Sequence, residues 1–133
     1  MSQENVEVVR GIFEAFNRRN WAAWESLHHP MVEWTDPPDL PGGGVHRGLE
    51  DVRRSLEETL EVGYEWRVVV DGIESVGRGR VLMRGRSVLV GNKSGVPMED
   101  TLFQLFDLED GRVLRVQAFR SDAEALEAAG LLE

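Results

Sequence analysis

Apolar residues recur at Val6, Val9, Phe13 and Phe16, three or four positions apart, which predicts an amphipathic helix starting at Ser2. Ser2 is available as its cap and Asn17-Arg18-Arg19-Asn20 as its stop. Asn20 then caps a shorter second helix carrying Trp21, Trp24 and Leu27, which must end by His29 because Pro30 disfavours helical backbone in the residue before it. At that point the period changes from 3.6 to 2. Val32, Trp34 and Asp36 alternate with polar residues, predicting a short strand stopped by Pro37-Pro38. After a Pro/Gly-rich loop from Pro37 to Gly44, Leu49, Val52, Leu56 and Leu60 mark the inner side of a third helix. Its outer side carries Glu50, Arg53, Arg54, Glu57 and Glu58 at ion-pair spacing.

The rest of the chain reads as strands. Tyr64 to Ser75, Arg80 to Val90, Met98 to Leu108 and Arg112 to Arg120 are separated by Gly77-Arg78-Gly79, Gly91-Asn92-Lys93-Ser94-Gly95 and Glu109-Asp110-Gly111, the punctuation of three successive hairpins. Hairpin-linked strands imply an antiparallel sheet, and helices gathered ahead of it predict an α+β domain with the helices on one face. Ser121-Asp122-Ala123-Glu124 is a capping-box pattern leading into a short helix through Ala129 and Gly130. No repeat or linker interrupts residues 1–133, so a single domain is expected.

Composition narrows the function. The chain has 133 residues, 41% hydrophobic and 29% charged, within the range of an ordinary globular domain. A formal net charge of −9 opposes binding to phosphate backbones, so no nucleic-acid partner is expected. The absence of cysteine excludes disulfides, thiolate nucleophiles and thiolate metal sites. Neither a signal-like leader nor a stretch able to span a bilayer is read, and a cytoplasmic protein without a membrane partner is the expectation.

Asp36 is the first candidate for chemistry. It shares a strand face with Val32 and Trp34, so if Trp34 points inward the carboxylate does too, where it must be paired or used. The residue types leave open a second reading, that Asp36 simply starts a turn with Pro37. Met98, Asp100, Leu102, Gln104, Phe106 and Leu108 share another face, with two polar groups set among apolar ones, as in a pocket lined by a few placed polar atoms. Phe103 and Leu105, on the opposite face, point to an outer surface for a second copy. Arg84 and Arg86 read as an outer stripe answering carboxylates such as Glu65, or as a clamp for an acidic ligand. His28 and His29 are adjacent and diverge on a helix, so no metal site is expected. Gly42-Gly43-Gly44 lacks the ending of a phosphate-binding loop and reads as a flap. Trp21, Trp24, Trp34 and Trp66 read as core and cavity wall.

Several phrases together resemble the SnoaL-like branch of the nuclear transport factor 2-like superfamily. They are Phe13-Glu14-Ala15-Phe16-Asn17, Val32-Glu33-Trp34, Gly42-Gly43-Gly44-Val45-His46-Arg47-Gly48, Asp110-Gly111-Arg112-Val113, Ala118-Phe119-Arg120-Ser121-Asp122 and the tail from Glu124 to Leu131. The resemblance implies a cone-shaped α+β barrel of the cystatin-like kind, a strongly curved, mostly antiparallel sheet wrapped around the N-terminal helices and commonly paired into a homodimer. It also implies a cofactor-free chemistry, with no metal, on a hydrophobic small molecule. Asp36 matches the catalytic aspartate of the similar ketosteroid isomerases. Their oxyanion-hole tyrosine aligns with Ile12, and their protonated acid with Gln104 or, four residues earlier on the same face, with Asp100, so that oxyanion hole is incomplete here. In the similar polyketide cyclases an aspartate works with a histidine or polar groups, roles open to Asp100, Gln104 and His46, although His46 in its loop is expected to face solvent. The epoxide hydrolases of the superfamily need an Asp-Arg-Asp relay plus a Tyr and an Asn holding water; Tyr64 is the one tyrosine and no Asp-Arg-Asp set is read, so that activity is not expected. The ligand-lining set implied is Phe16, Trp34, His46, Asp100, Gln104, Gln117 and Phe119. A non-catalytic binding module or dimeric adaptor is the alternative, favoured by Ile12.

Overall fold

The computed structural model describes residues 2–38, 43–61, 64–91 and 95–130. In chain order the elements are α1 (Ser2–Asn17), α2 (Trp21–Ser26), β1 (His28–Asp36), β2 (Gly44–Arg47), α3 (Leu49–Glu61), β3 (Tyr64–Gly77), β4 (Arg80–Gly91), β5 (Pro97–Glu109), β6 (Arg112–Phe119) and α4 (Asp122–Ala128). The sheet has six strands in the order β2-β1-β6-β5-β4-β3. Only the junction of β1 with β6 is parallel; every other pairing is antiparallel. The sheet is curved and does not close on itself.

Curvature has local causes. The β3–β4 register shifts between Val70 and Gly72 and again between Ser75 and Gly77, and such bulges bend a strand and increase its twist. At the first of these bends Gly85 of β4 lies against β3 so closely that a Cβ there would sit 2.3 Å from the Val69 carbonyl oxygen. Only glycine allows that approach. Across the β5–β6 hairpin a further shift falls between Asp107 and Leu108.

The concave side of the sheet is filled by α1, α2 and α3. Val9, Ile12, Phe13, Phe16 and Trp24 meet Val32, Val81, Met83, Phe106, Val113 and Val116, all buried, with Phe13 edge-on to Phe106 at 5.9 Å. Removal of this apolar surface from water is the main force holding helices to sheet. Asn17, read as a helix stop, also ties helix to sheet. Its side chain donates to the Val68 carbonyl at 2.8 Å and accepts from the Val68 N–H at 2.9 Å. The end of α1 is thereby pinned to β3.

Three expectations need correction. Residues 44–47, read as loop, form edge strand β2, with Gly44 and His46 facing one way and Val45 and Arg47 the other. The first strand starts at His28 rather than near Val32, because α2 already ends at Ser26. The helices do not all lie on one face: Asp122, at the start of α4, takes the guanidinium of Arg84 at 2.5 Å, and Arg84 points away from the concave side on which Met83 lies. With α4 against β5 and β6 on that outer side, Leu105 is buried rather than left for a second copy. Part of the expected glycine flap, residue 42, and residues 92–94 of one hairpin fall outside the described residues. No helix among the described residues is long and apolar enough to cross a membrane.

Candidate functional site

Between α1, α3 and the concave sheet lies a cavity of about 120 Å³. Its walls are aromatic and aliphatic, and its polar atoms come from Asp36, His46, Ser55 and Gln104. The strand residues among these arrive by a simple rule of parity. Trp34 of β1 pairs with Val116 of β6, a core residue, so Trp34 and, two residues on, Asp36 face inward. His46 pairs with Trp34 across β1 and β2 and therefore shares that face. Gln104 pairs with Met83 on one side and Ala118 on the other.

Asp36 is mostly buried, and its Oδ1 accepts a hydrogen bond from the Trp34 indole N–H at 3.2 Å. Burial pushes the Asp36 carboxyl above its ordinary value of 3.8, against the smaller opposing effects of the Trp34 hydrogen bond and the nearby His46. A carboxylate that only started an exposed turn would show no such desolvation. His46 in turn has its Nδ1 3.5 Å from Oδ2 of Asp51 in α3 and is only 22% exposed. The loop histidine expected in solvent is thus a wall residue, because it belongs to a strand.

The aromatic walls are held in place by groups behind them. The Trp66 indole N–H donates to Ser87 Oγ at 2.6 Å, and the Arg19 guanidinium, lying over Phe16 at 4.7 Å, donates to the carbonyls of Phe16 and Trp66 at 2.7 and 2.5 Å. Behind Trp24, the His28 ring stacks at 4.2 Å, with its Nδ1 2.7 Å from the Trp24 carbonyl. His28 is 2% exposed, its Nε2 has no partner, and burial lowers its pKa to about 4.

Of the residues picked out from the sequence, Asp36, Phe16, Trp34, His46 and Gln104 come together around this cavity. Three do not. Asp100 shares the parity of Gln104 but lies four residues away along β5, where it is exposed. Gln117 and Phe119 pair with Leu105 and Phe103, residues of the opposite parity to Gln104, and so stand on the outer face. Phe119 instead borders a shallow groove with Thr35, Pro37 and Arg120. Ser55, Leu56 and Val52 of α3 line the cavity without having been singled out for it; the apolar stripe of α3 was the available signal. Arg84 and Arg86, the outer stripe, pair with Glu74 and Asp122 and with Asp71 and Glu99, not with Glu65. Among the described residues no three His, Asp or Glu side chains converge as metal ligands.

Comparison with known proteins places this geometry in a family context. A family model described as a SnoaL-like domain matches residues 9–116. Bal32a, from a soil-derived mobile gene cassette, is 22% identical and superposes with a TM-score of 0.80 over 96% of each chain. TerC, co-crystallised with polyporic acid, is 19% identical with a TM-score of 0.78, over 96% of this chain and 98% of its own. An NTF2-like protein of unknown function from Burkholderia pseudomallei is 23% identical with a TM-score of 0.75, over 96% of this chain and 97% of its own. At such identities the likeness to these structures is one of fold. No curated protein sequence matches the chain.

Proposed function

The chain belongs to the SnoaL-like domain family, and from that premise we propose that it is a cofactor-free acid/base catalyst acting on a small hydrophobic carbonyl compound, with Asp36 as the base. One observation carries the proposal: a carboxyl group with a raised pKa opens into an apolar cavity, where an indole N–H donates to it. That is how a carboxylate acquires basicity suited to taking a proton from carbon. The Asp36 carboxylate removes a proton from the carbon next to the carbonyl, the electron pair moves into an enolate, and the carboxylic acid returns the proton to another carbon or to the oxygen. Trp34 holds the carboxylate in orientation, and His46 and Ser55 are the polar groups available to the developing charge.

The cavity disfavours a steroid. About 120 Å³ is far below the several hundred usual for drug-sized ligands. Occupancy of the fold by a small molecule is supported by TerC, which was crystallised with polyporic acid. The non-catalytic alternative draws on Ile12, a buried wall residue with no donor to offer an enolate. We place a homodimer contact on the outer face around the half-buried Phe103 and Val88; sedimentation velocity returning only monomer at high concentration sinks it.

The deciding experiment is a pH titration of the Asp36 carboxyl carbon by NMR, with Asp36→Asn as assignment control, in free protein and with small carbonyl ligands. A raised midpoint that moves with ligand is expected. A depressed, ligand-insensitive midpoint removes Asp36 from the chemistry and leaves the binding module.

A further inference from the structure

The cavity wall includes a carboxyl group, Asp36, and no lysine or arginine. Among the described residues the Trp34 indole N–H, at 3.2 Å, is the one hydrogen-bond donor to that carboxylate. His46 acts on it only as a nearby charge, and its own Nδ1 lies 3.5 Å from Asp51. A buried carboxylate with so little compensation is unfavourable, and burial accordingly holds its pKa above the ordinary value. Such a charge is completed either by a proton or by a cation brought to it.

The rest of the wall says which cation. Phe13, Phe16, Trp24, Trp34 and Trp66 all border the cavity, and Phe16 and Trp66 meet nearly at right angles, with centroids 5.0 Å apart and planes at 76°. Aromatic rings attract cations, most strongly where water is excluded. One ring of this wall already does so within the fold, since the Arg19 guanidinium lies 4.7 Å from the Phe16 centroid. A metal ion needs several ligands, and no three His, Asp or Glu side chains among the described residues converge to supply them. A primary ammonium brings three N–H donors into a wall that is mainly hydrocarbon. A quaternary ammonium brings none and presents methyl groups to the rings. Size agrees: a dry cavity of about 150 Å³ accepts benzene, so one of about 120 Å³ has room for about five heavy atoms. We infer that the cavity binds a small quaternary ammonium ion, held by the aromatic wall with the Asp36 carboxylate as its counter-ion. This goes beyond the acid/base reading and does not depend on it. Base and counter-ion are the same ionised group, so the cation competes with a carbonyl substrate for the cavity.

Tetramethylammonium chloride tests it against tert-butanol, a neutral molecule of similar size and shape. Sodium chloride at equal ionic strength is the control, because a chain of net charge −9 gathers any cation loosely. The Trp34 indole N–H resonance of the full chain is followed, since Trp34 borders the cavity and donates to Asp36. The expected result is saturable binding of tetramethylammonium, with a tetramethylammonium-to-tert-butanol affinity ratio that falls about tenfold in Asp36→Asn and about fivefold in Trp66→Leu. If a variant does not fold, the wild type decides. Saturating tetramethylammonium stabilises the charged form of Asp36 and should lower the midpoint of its carboxyl-carbon titration, whereas tert-butanol should not. The other charges near this carboxyl are His46 with Asp51 behind it, and Arg120 and Glu124 along the groove that Asp36 also borders. They are common to both titrations, and His46→Gln should keep the fall. A response no greater than that to sodium chloride, an affinity ratio unchanged in Asp36→Asn, or an Asp36 midpoint that does not fall overturns the inference. A midpoint that moves with carbonyl ligands and not with tetramethylammonium overturns it too, and leaves the acid/base chemistry standing. The reverse sustains the inference and leaves a binding module.

Discussion

A neutral imidazole stacked on Trp24, with one ring nitrogen unpartnered, makes His28 an acid-sensitive point in the core. Its folded-state pKa of about 4 lies below the ordinary 6.5, so between those values the unfolded chain binds the proton and the folded chain does not. Stability therefore falls as pH drops through this window, by about 3 kcal/mol for the whole span. Urea denaturation at pH 7 and pH 4 should show that loss in wild type and a smaller one in His28→Phe; equal losses sink the assignment. Asp36 has the opposite sign. Its carboxyl is raised by burial, so its contribution to stability is full below the ordinary carboxylate value and is lost as pH rises through the raised one. Removing the charge with Asp36→Asn should stabilise the fold at neutral pH, by a margin that shrinks on acidification. The same change should lower any turnover by about 10²- to 10⁴-fold, the range for loss of a general base. A variant both less stable at neutral pH and equally active would contradict both halves.

The elements set which of these residues meet. Gly85 illustrates how narrowly, since a Cβ there would also come within 2.6 Å of Met83 Cε. Gly85→Ala should cost about 3 kcal/mol, the upper part of the range for overpacking, whereas Gly72→Ala, with nothing within 4 Å of its Cβ position, should cost under about 1 kcal/mol. Equal midpoints of thermal unfolding for the two would remove the close-approach account of the bend. Most elements were legible from period alone: the helices at Val6, Val9, Phe13 and Phe16 and at Leu49, Val52 and Leu56, and the strands of the meander. Within the site, Asp36, Trp34 and Gln104 were legible because alternation along a strand fixes which residues share a face. Alternation does not say which face is concave. Gln117 and Phe119 form a sensible apolar-polar stripe of their own, and only pairing with Phe103 and Leu105 shows that the stripe lies outside. His46 was hidden for another reason: a four-residue edge strand flanked by glycines carries too short a pattern to distinguish from loop.

At the scale of the whole molecule the charges form a second layer over the packing. Arg80, Arg84 and Arg86 on the outer face each take one or more carboxylates, and Arg53 links Glu25 of α2 to Glu57 of α3. These pairs are at least partly exposed, and each adds little to stability; collectively they moderate the self-repulsion of a chain carrying a net charge of −9. The parallel junction of β1 with β6 has a consequence in time. Asp36 is synthesised early, yet its neighbour across that junction is the last strand of the sheet. The hairpins of β3, β4 and β5 close locally, while β1 must wait for a partner separated from it by most of the sequence, and such distant closures are the slow ones. In pulse-labelling hydrogen exchange during refolding, β1 amides that bond to β6 should gain protection together with those of β6 and after those shared by β3 and β4; simultaneous protection throughout would count against this order. A ribosome-bound chain lacking only its final strand would hold a folded meander and an unassembled cavity. Ligand binding is then a property of the completed molecule, and a probe that binds it reports the end of folding rather than its progress.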